Sequence, residues 1–321
     1  MNKKKSILLE VRDLKVYYKT ILGDAKVVDG VSFKVNEGEI FGIAGESGCG
    51  KSTLVEGILR IIKPPGYIAG GKVLFRGINL LELNERELRE IRWKRIAYIP
   101  QGAMSSLNPV LRVEEQIIDA ILDHSDMSRD EAVELAKKIL TELGLPEEVL
   151  NMYPHELSGG MKQRIIIATA CALRPELIIA DEPVTALDVV TLKEVLQTLT
   201  ELRDKYGATI ILIAHDMAVH AEVDDRIAIM YAGKIVEIGN VHEIFENPLH
   251  PYTKGIIESI PSIKKRKMIK GIPGIAPSPL NWPPGCRFHP RCPYANDACK
   301  SKIPELIEVE PNHLVACHLY R

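Results

Sequence analysis

The chain has 321 residues, 46% hydrophobic and 26% charged, the composition of a globular protein with room for about two domains, which excludes a fibre and a disordered tail. Lys and Arg number 41 against 43 Asp and Glu, a net charge of -2, so no global positive field draws the chain onto nucleic acid or anionic lipid. No apolar run reaches membrane-spanning length and the basic start Asn2-Lys3-Lys4-Lys5 leads into no signal-peptide core, so a cytosolic, non-spanning chain is expected.

From Leu8 to about Gly239 short β-rich runs alternate with longer helical stretches, the rhythm of an α/β domain. Leu9-Glu10-Val11 and Val31-Ser32-Phe33-Lys34-Val35 alternate in character and predict an antiparallel edge sheet. Buried parallel strands are predicted at Glu39 to Ala44, Ile96 to Ile99, Leu177 to Ala180 and Thr209 to Ala214. After the first of these, Gly45-Glu46-Ser47-Gly48-Cys49-Gly50-Lys51-Ser52 matches GxxxxGK[S/T] and opens a predicted helix, Ser52 to Ile62. Its glycines let the backbone N–H groups of Gly45 and of Ser47 to Thr53 wrap phosphates at a helix N-terminus. Lys51 would reach the β- and γ-phosphates and Ser52 would offer a hydroxyl to Mg²⁺, while the Cys49 thiol is given no chemistry.

Between Val110 and Leu157 the pattern is helical and charged, with Ser128-Arg129-Asp130-Glu131 resembling a capping box ahead of Ala132 to Leu143. Leu157-Ser158-Gly159-Gly160-Met161 then starts an apolar helix, Lys162 to Leu173, a second anion-binding helix terminus. The strand Leu177-Ile178-Ile179-Ala180 ends on Asp181-Glu182, where Asp181 would hold Mg²⁺ and Glu182 would act as general base on water.

The C-terminal end departs from the average: 12 of the 20 prolines follow residue 240, and four of the six cysteines, Cys286, Cys292, Cys299 and Cys317, fall in the last 36 residues. In a reducing cytosol such a set favours a metal or cluster site over disulfides, and the tail reads as a separate module. Cys171, within an apolar helix, reads as a core residue. The run Lys264-Lys265-Arg266-Lys267 reads as a solvated linker rather than a lipid contact.

With these motifs in order, the chain resembles the ATP-binding cassette (ABC) ATPases, whose LSGGQ signature lies between the phosphate loop and the acidic strand; Met161 stands where the signature has Gln. The resemblance covers Leu8 to about Gly239. It implies a P-loop NTPase cassette with a parallel core sheet, an antiparallel β-subdomain and a helical subdomain at about 104–165. It further implies that Gln101 is the Q-loop glutamine beside Mg²⁺, that Thr185-Ala186-Leu187-Asp188 is the D-loop, that His215 contacts the γ-phosphate and that Tyr18, rather than Tyr17, stacks on adenine. In that family Ser158, Gly159 and Gly160 of one subunit close over ATP held by Lys51 of another.

Asn247-Pro248-Leu249-His250-Pro251-Tyr252-Thr253 and Ser105-Ser106-Leu107-Asn108-Pro109 are similar to segments of dipeptide and oligopeptide importer ATPases, although Gln101-Gly102-Ala103 departs from the usual Gln-Asp-Pro. This resemblance implies a cassette over 1–240 and an extension over 241–321 with a small irregular cysteine module. Cys286, Cys292, Cys299 and Cys317 would hold a [4Fe-4S] cluster, with zinc or unligated thiols as alternatives. The implied partners are a second ATPase subunit, identical or homologous, two transmembrane permease subunits and, indirectly, an extracellular solute-binding protein. No nucleic acid is expected, and the location is the cytoplasmic face of the cell membrane. Related systems carry peptides, oligosaccharides or nickel. The rival readings are a soluble ABC ATPase acting on DNA or ribosomes, and an ATPase driven by a redox-switching tail.

Overall fold

The computed structural model describes residues 6–184, 188–260 and 271–320, so Thr185-Ala186-Leu187 of the expected D-loop and the basic run at Lys264 to Lys267 lie outside the described residues. In chain order the described strands are β1 (Ile7–Thr20), β2 (Gly23–Asn36), β3 (Ile40–Ala44), β4 (Gly66–Phe75), β5 (Ile78–Asn79), β6 (Ile96–Ile99), β7 (Leu177–Asp181), β8 (Thr209–Ile213), β9 (Arg226–Tyr231), β10 (Lys234–Asn240), β11 (Ile307–Glu310) and β12 (His313–Val315). The described chain divides into two compact units, one of Ser6, 36–40 and 82–214, the other of 7–35, 41–81 and 215–320.

In the first unit β6, β7 and β8 pair in parallel, with Ile96 opposite Leu177 and Leu177 opposite Thr209. Every residue of β7 and β8 is buried, which is why these runs are continuously apolar rather than alternating. The helical stretch expected here comprises Val113–Leu122, Arg129–Glu142 and Gly159–Cys171. Ser128 and Glu131 form the anticipated capping box. The third helix starts three residues before Lys162, because the Ser158 hydroxyl accepts from the Met161 N–H at 3.2 Å and so caps it.

The second unit holds a sheet ordered β2-β1-β4-β5, with β1 antiparallel to β4, as the alternating runs anticipate. Its other strands follow one another as β11-β12-β10-β9-β3, with β3 parallel to β9 and the remaining pairs antiparallel. The helix after the phosphate loop, Lys51–Leu59, is shorter than expected, since Arg60 turns left-handed at φ 54° and ends it.

Residues beyond 240 carry no clear periodicity, yet they fold into this unit. β12 pairs with β10 through Glu237 and Val315, and Tyr252 and Phe288 bury in one core with Tyr231, Ile229 and Ile244. Trp282, Cys286 and Cys292 pack against the same core. Beneath it the buried Glu237 carboxylate accepts from the N–H groups of Leu249 (2.7 Å) and His250 (2.9 Å) and lies 2.7 Å from His313 Nε2. Glu237 thereby ties the helix Pro251–Glu258 and the C-terminal hairpin to β10.

His250 caps that helix: its Nδ1 accepts from the Tyr252 N–H at 3.1 Å, so the ring is neutral at that nitrogen. Burial holds its pKa down at about 4, against the attraction of Glu237. An unfolded histidine titrates near ~6.5, so on acidification the unfolded chain takes the proton first. The His250 contribution is therefore complete above that pH and is lost as pH falls toward 4. The melting temperature of the wild-type chain should drop between pH 7 and 5 more than that of His250→Asn, which keeps a cap acceptor but does not titrate; equal drops would clear His250 of the effect.

Candidate nucleotide site

The second unit carries the phosphate loop. Gly45 has φ 154°, and a Cβ there would lie 2.1 Å from the Met230 carbonyl oxygen. Gly50, at φ 106°, would place a Cβ 2.8 Å from the Val27 oxygen. Glycine is required at both positions because neighbouring main chain closes on the loop. The Gly233 N–H donates to the Cys49 carbonyl at 2.9 Å, and the Leu54 N–H to Gly50 at 2.8 Å starts the helix. Gly50 is the N-cap and carries no side chain to compete with an anion at the helix N-terminus. Lys51 is largely buried, its Nζ donating to the carbonyls of Gly45 (2.8 Å) and Glu46 (3.2 Å), so the ammonium is held at the loop's own mouth. Ser47 and Gly48 are exposed, Ser52 and Thr53 half-buried, and the Cys49 thiol is pushed up by burial.

Tyr17 and Tyr18 fall on opposite faces of β1. The Tyr17 hydroxyl donates to Asp29 Oδ1 at 2.6 Å, and Asp29 in turn receives Arg287, which also donates to the Ala232 carbonyl. Tyr18 pairs across the sheet with Gly66, where a Cβ would strike the Tyr18 ring at 2.8 Å. The structure thus engages Tyr17 and leaves room for the ring of Tyr18.

The first unit carries the acidic strand end. Asp181 closes β7, fully buried. Glu182 follows in the left-handed region at φ 52°, a conformation a non-glycine residue holds only when its surroundings impose it. Its N–H donates to the Ile213 carbonyl at 2.9 Å, and its Oε2 accepts from Gln101 Nε2 at 2.7 Å. The expected Q-loop amide and the expected general base are therefore in contact. His215 is an exposed residue just after β8 in chain order.

Ser158 spends its hydroxyl on the cap of the helix Gly159–Cys171. Gly160 faces Thr191, whose Cγ2 would lie 2.6 Å from an added Cβ. Thr191 donates through its hydroxyl to Asp188 Oδ2 at 2.6 Å, and Asp188 Oδ1 accepts from the N–H groups of Val190 and Thr191. These bonds, the Thr191 hydroxyl first, lower the Asp188 pKa. The structure thus joins the signature glycine to the one described residue of the D-loop.

The cysteine expectation is met only in part. All four C-terminal cysteines are free thiols, and each of Cys286, Cys292 and Cys317 is pushed up, by burial first and then by the charge of its neighbours, Cys286 to about 11. They share one neighbourhood, and the Cys286 N–H donates to the Cys299 carbonyl at 2.8 Å. Among the described residues, however, no group of three or more His, Cys, Asp or Glu side chains is arranged to hold a metal ion, so the geometry gives the expected [4Fe-4S] cluster no support.

Comparison with known proteins agrees with this geometry. Residues 28–185 match the family model described as ABC transporter, and residues 236–299 match that of the oligopeptide/dipeptide transporter C-terminal region. The chain is 46% identical over 318 residues to "Dipeptide transport ATP-binding protein DppD" of Caldanaerobacter subterraneus, covering 98% of each. It is 42% identical to "Oligopeptide transport ATP-binding protein OppD" of Escherichia coli, over 97% of this chain and 92% of that one. The chain belongs to the ABC transporter family. It is an ATP-binding subunit of that family, with ATPase activity coupled to transport. A bacterial ABC transporter cassette solved as a dimer is similar in structure, with TM-score 0.65 and 30% identity over 73% of this chain and 98% of that one.

Sequence reasoning about this ABC subunit missed the groups that brace the loop from a distance, namely Asp29, Tyr252, Arg287 and Arg291. No local motif announces these contacts, because each joins residues more than 200 positions apart. Replacing Gly45 by Ala should weaken MgATP binding by roughly tenfold or more without loss of helix content by circular dichroism, since overpacking against Met230 costs about 1–3 kcal/mol. Native affinity would show that the loop tolerates a side chain there.

Proposed function

We propose that this chain is the ATP-hydrolysing subunit of an importer of dipeptides or oligopeptides, working at the cytoplasmic face of the cell membrane with two permease subunits and a second ATPase subunit, and served by an extracellular solute-binding protein. The observation that carries the peptide assignment is the oligopeptide/dipeptide transporter region at residues 236–299, behind a cassette-type phosphate loop in the same chain. No helix among the described residues is long and apolar enough to cross a membrane, which is compatible with a peripheral subunit. We assign 1–240 to the cassette and 241–321 to the extension, with 104–165 as the helical subdomain.

In this reading the N–H groups of Gly45 and of Ser47 to Thr53, with Lys51 Nζ, bind the phosphates, and Tyr18 stacks on adenine. Ser52, Asp181 and Gln101 bring the hard oxygen donors that Mg²⁺ prefers, and the ion, when bound, would neutralise charge on the β- and γ-phosphates. Glu182 takes the proton of the attacking water, and the Gln101 amide aims its carboxylate, as the 2.7 Å hydrogen bond supports. His215 contacts the γ-phosphate. Ser158, Gly159, Gly160 and Asp188 act on the nucleotide held by the opposite subunit, and ATP joins the two subunits until hydrolysis removes the charge that both clasp. The four C-terminal thiols are the donor set of a [4Fe-4S] cluster, or alternatively of zinc. That part of the proposal rests on the sequence, and no step of hydrolysis runs through it.

Glu182→Gln should bind MgATP as the wild-type chain does while hydrolysing it at least ~100-fold more slowly, as for loss of a general base. Hydrolysis at the native rate would remove Glu182 from that role. Protein purified without oxygen should carry iron in proportion to chain and lose it in Cys292→Ser; iron-free, zinc-bearing protein would select the alternative, and metal-free protein would discard both.

A further inference from the structure

We infer that Arg291 is a positioning residue for the nucleotide: by fixing and neutralising Glu46 it sets the grip of the phosphate loop, and so makes ATP affinity depend on the C-terminal segment. The inference rests on the ATPase reading above.

Glu46 is the second residue of the loop, next to Gly45, whose carbonyl receives Lys51 Nζ. A carboxylate at that point repels a triphosphate. Here both of its oxygens are taken by Arg291, Nη1 to Oε2 at 2.9 Å and Nη2 to Oε1 at 3.0 Å, the two-pronged geometry that only a guanidinium offers. The pair is no loose surface contact, since the Arg291 side chain is only 7% exposed. Its remaining donor, Nε, bonds the Pro273 carbonyl at 2.8 Å, while Nη1 reaches the Tyr231 hydroxyl and Nη2 the Ile272 carbonyl, both at 3.4 Å. Every donor direction of the fork is engaged, so the charge cannot swing away from Glu46.

The main chain of the same residue is held as well. The Glu46 N–H donates to the hydroxyl of the buried Tyr252 at 2.9 Å, which removes this N–H from the set that can turn to phosphate and fixes the loop's entry. Arg287, four residues earlier and directly after Cys286, gives one prong of its fork to Asp29, the partner of Tyr17, and the other to the Ala232 carbonyl. Two arginines inside the Cys286 to Cys292 interval therefore hold two acidic residues, one in the phosphate loop and one on β2 beside the strand of Tyr18. A change in the Cys286 to Cys292 interval would be felt first by these guanidinium groups.

The test uses the full chain, measuring MgATP affinity by equilibrium titration together with KM and kcat for hydrolysis. Arg291→Gln should bind MgATP about tenfold more weakly, with KM raised more than kcat is lowered, because a bare Glu46 carboxylate then faces the phosphates. Arg291→Lys, which keeps the charge and loses the fork, should fall between. The double variant Arg291→Gln with Glu46→Gln should regain most of the affinity, since the offending charge is gone. A merely structural role predicts a double variant at least as weak as Arg291→Gln; that result, or native affinity in Arg291→Gln, overturns the inference. If Arg291→Gln does not fold, Arg291→Lys with and without Glu46→Gln carries the same comparison, and equal affinities overturn it. Lys51→Ala separates the two levels: loss of binding there with none in Arg291→Gln sinks this inference alone, whereas a wild-type chain that binds no MgATP, or binds it no better than Lys51→Ala, sinks the ATPase reading with it.

Discussion

A loop that offers its own N–H groups to phosphate has to hold a backbone path that side chains would obstruct, and something outside the loop has to impose that path. In this chain the constraint comes from main chain: the Met230 carbonyl closes on Gly45, the Val27 carbonyl on Gly50, and the Gly233 N–H holds the Cys49 carbonyl. β9 and β2 therefore shape the anion site through atoms that every residue type possesses, and only the glycines opposite them are specified. Much else follows. The strands must sit where their carbonyls meet the loop, and the C-terminal core of Tyr231, Tyr252 and Phe288 backs the strand that carries Met230.

The acidic strand end obeys a different rule. Glu182 is a non-glycine residue in the left-handed region, held by its N–H bond to Ile213 and by Gln101 on its carboxylate. Such a conformation costs of order 1–3 kcal/mol.

Sequence alone was sufficient wherever the signal is local. The apolar strands β6, β7 and β8, the Ser128 capping box and the eight-residue phosphate loop depend on neighbours within a turn or a strand, and their limits differ from expectation by a few residues where caps intervene, as Ser158 and Arg60 do. The tail was not legible in the same way. Its prolines hide periodicity, and its order comes from distant partners: Glu237 gathers Leu249, His250 and His313, and β12 finds β10 across more than 70 residues. The left-handed Glu182 was equally hidden, because nothing in Asp181-Glu182-Pro183 states a φ angle.

The near-neutral composition conceals a local arrangement of charge. In the proposed reading phosphate binding relies on backbone dipoles and one lysine, so a single stray carboxylate near the loop counts for much more than the net charge of -2. Two such carboxylates exist, Glu46 and Asp29, and each is met by an arginine from the same short C-terminal stretch, Arg291 and Arg287. Deleting that stretch would remove two positive charges, and the one lost with Arg291 would leave Glu46 unpaired within the phosphate loop itself. The position of the arginines, rather than their number, decides whether the loop attracts a polyanion. This is also why a segment without recognisable periodicity can be as much a part of the nucleotide site as the glycine-rich loop itself.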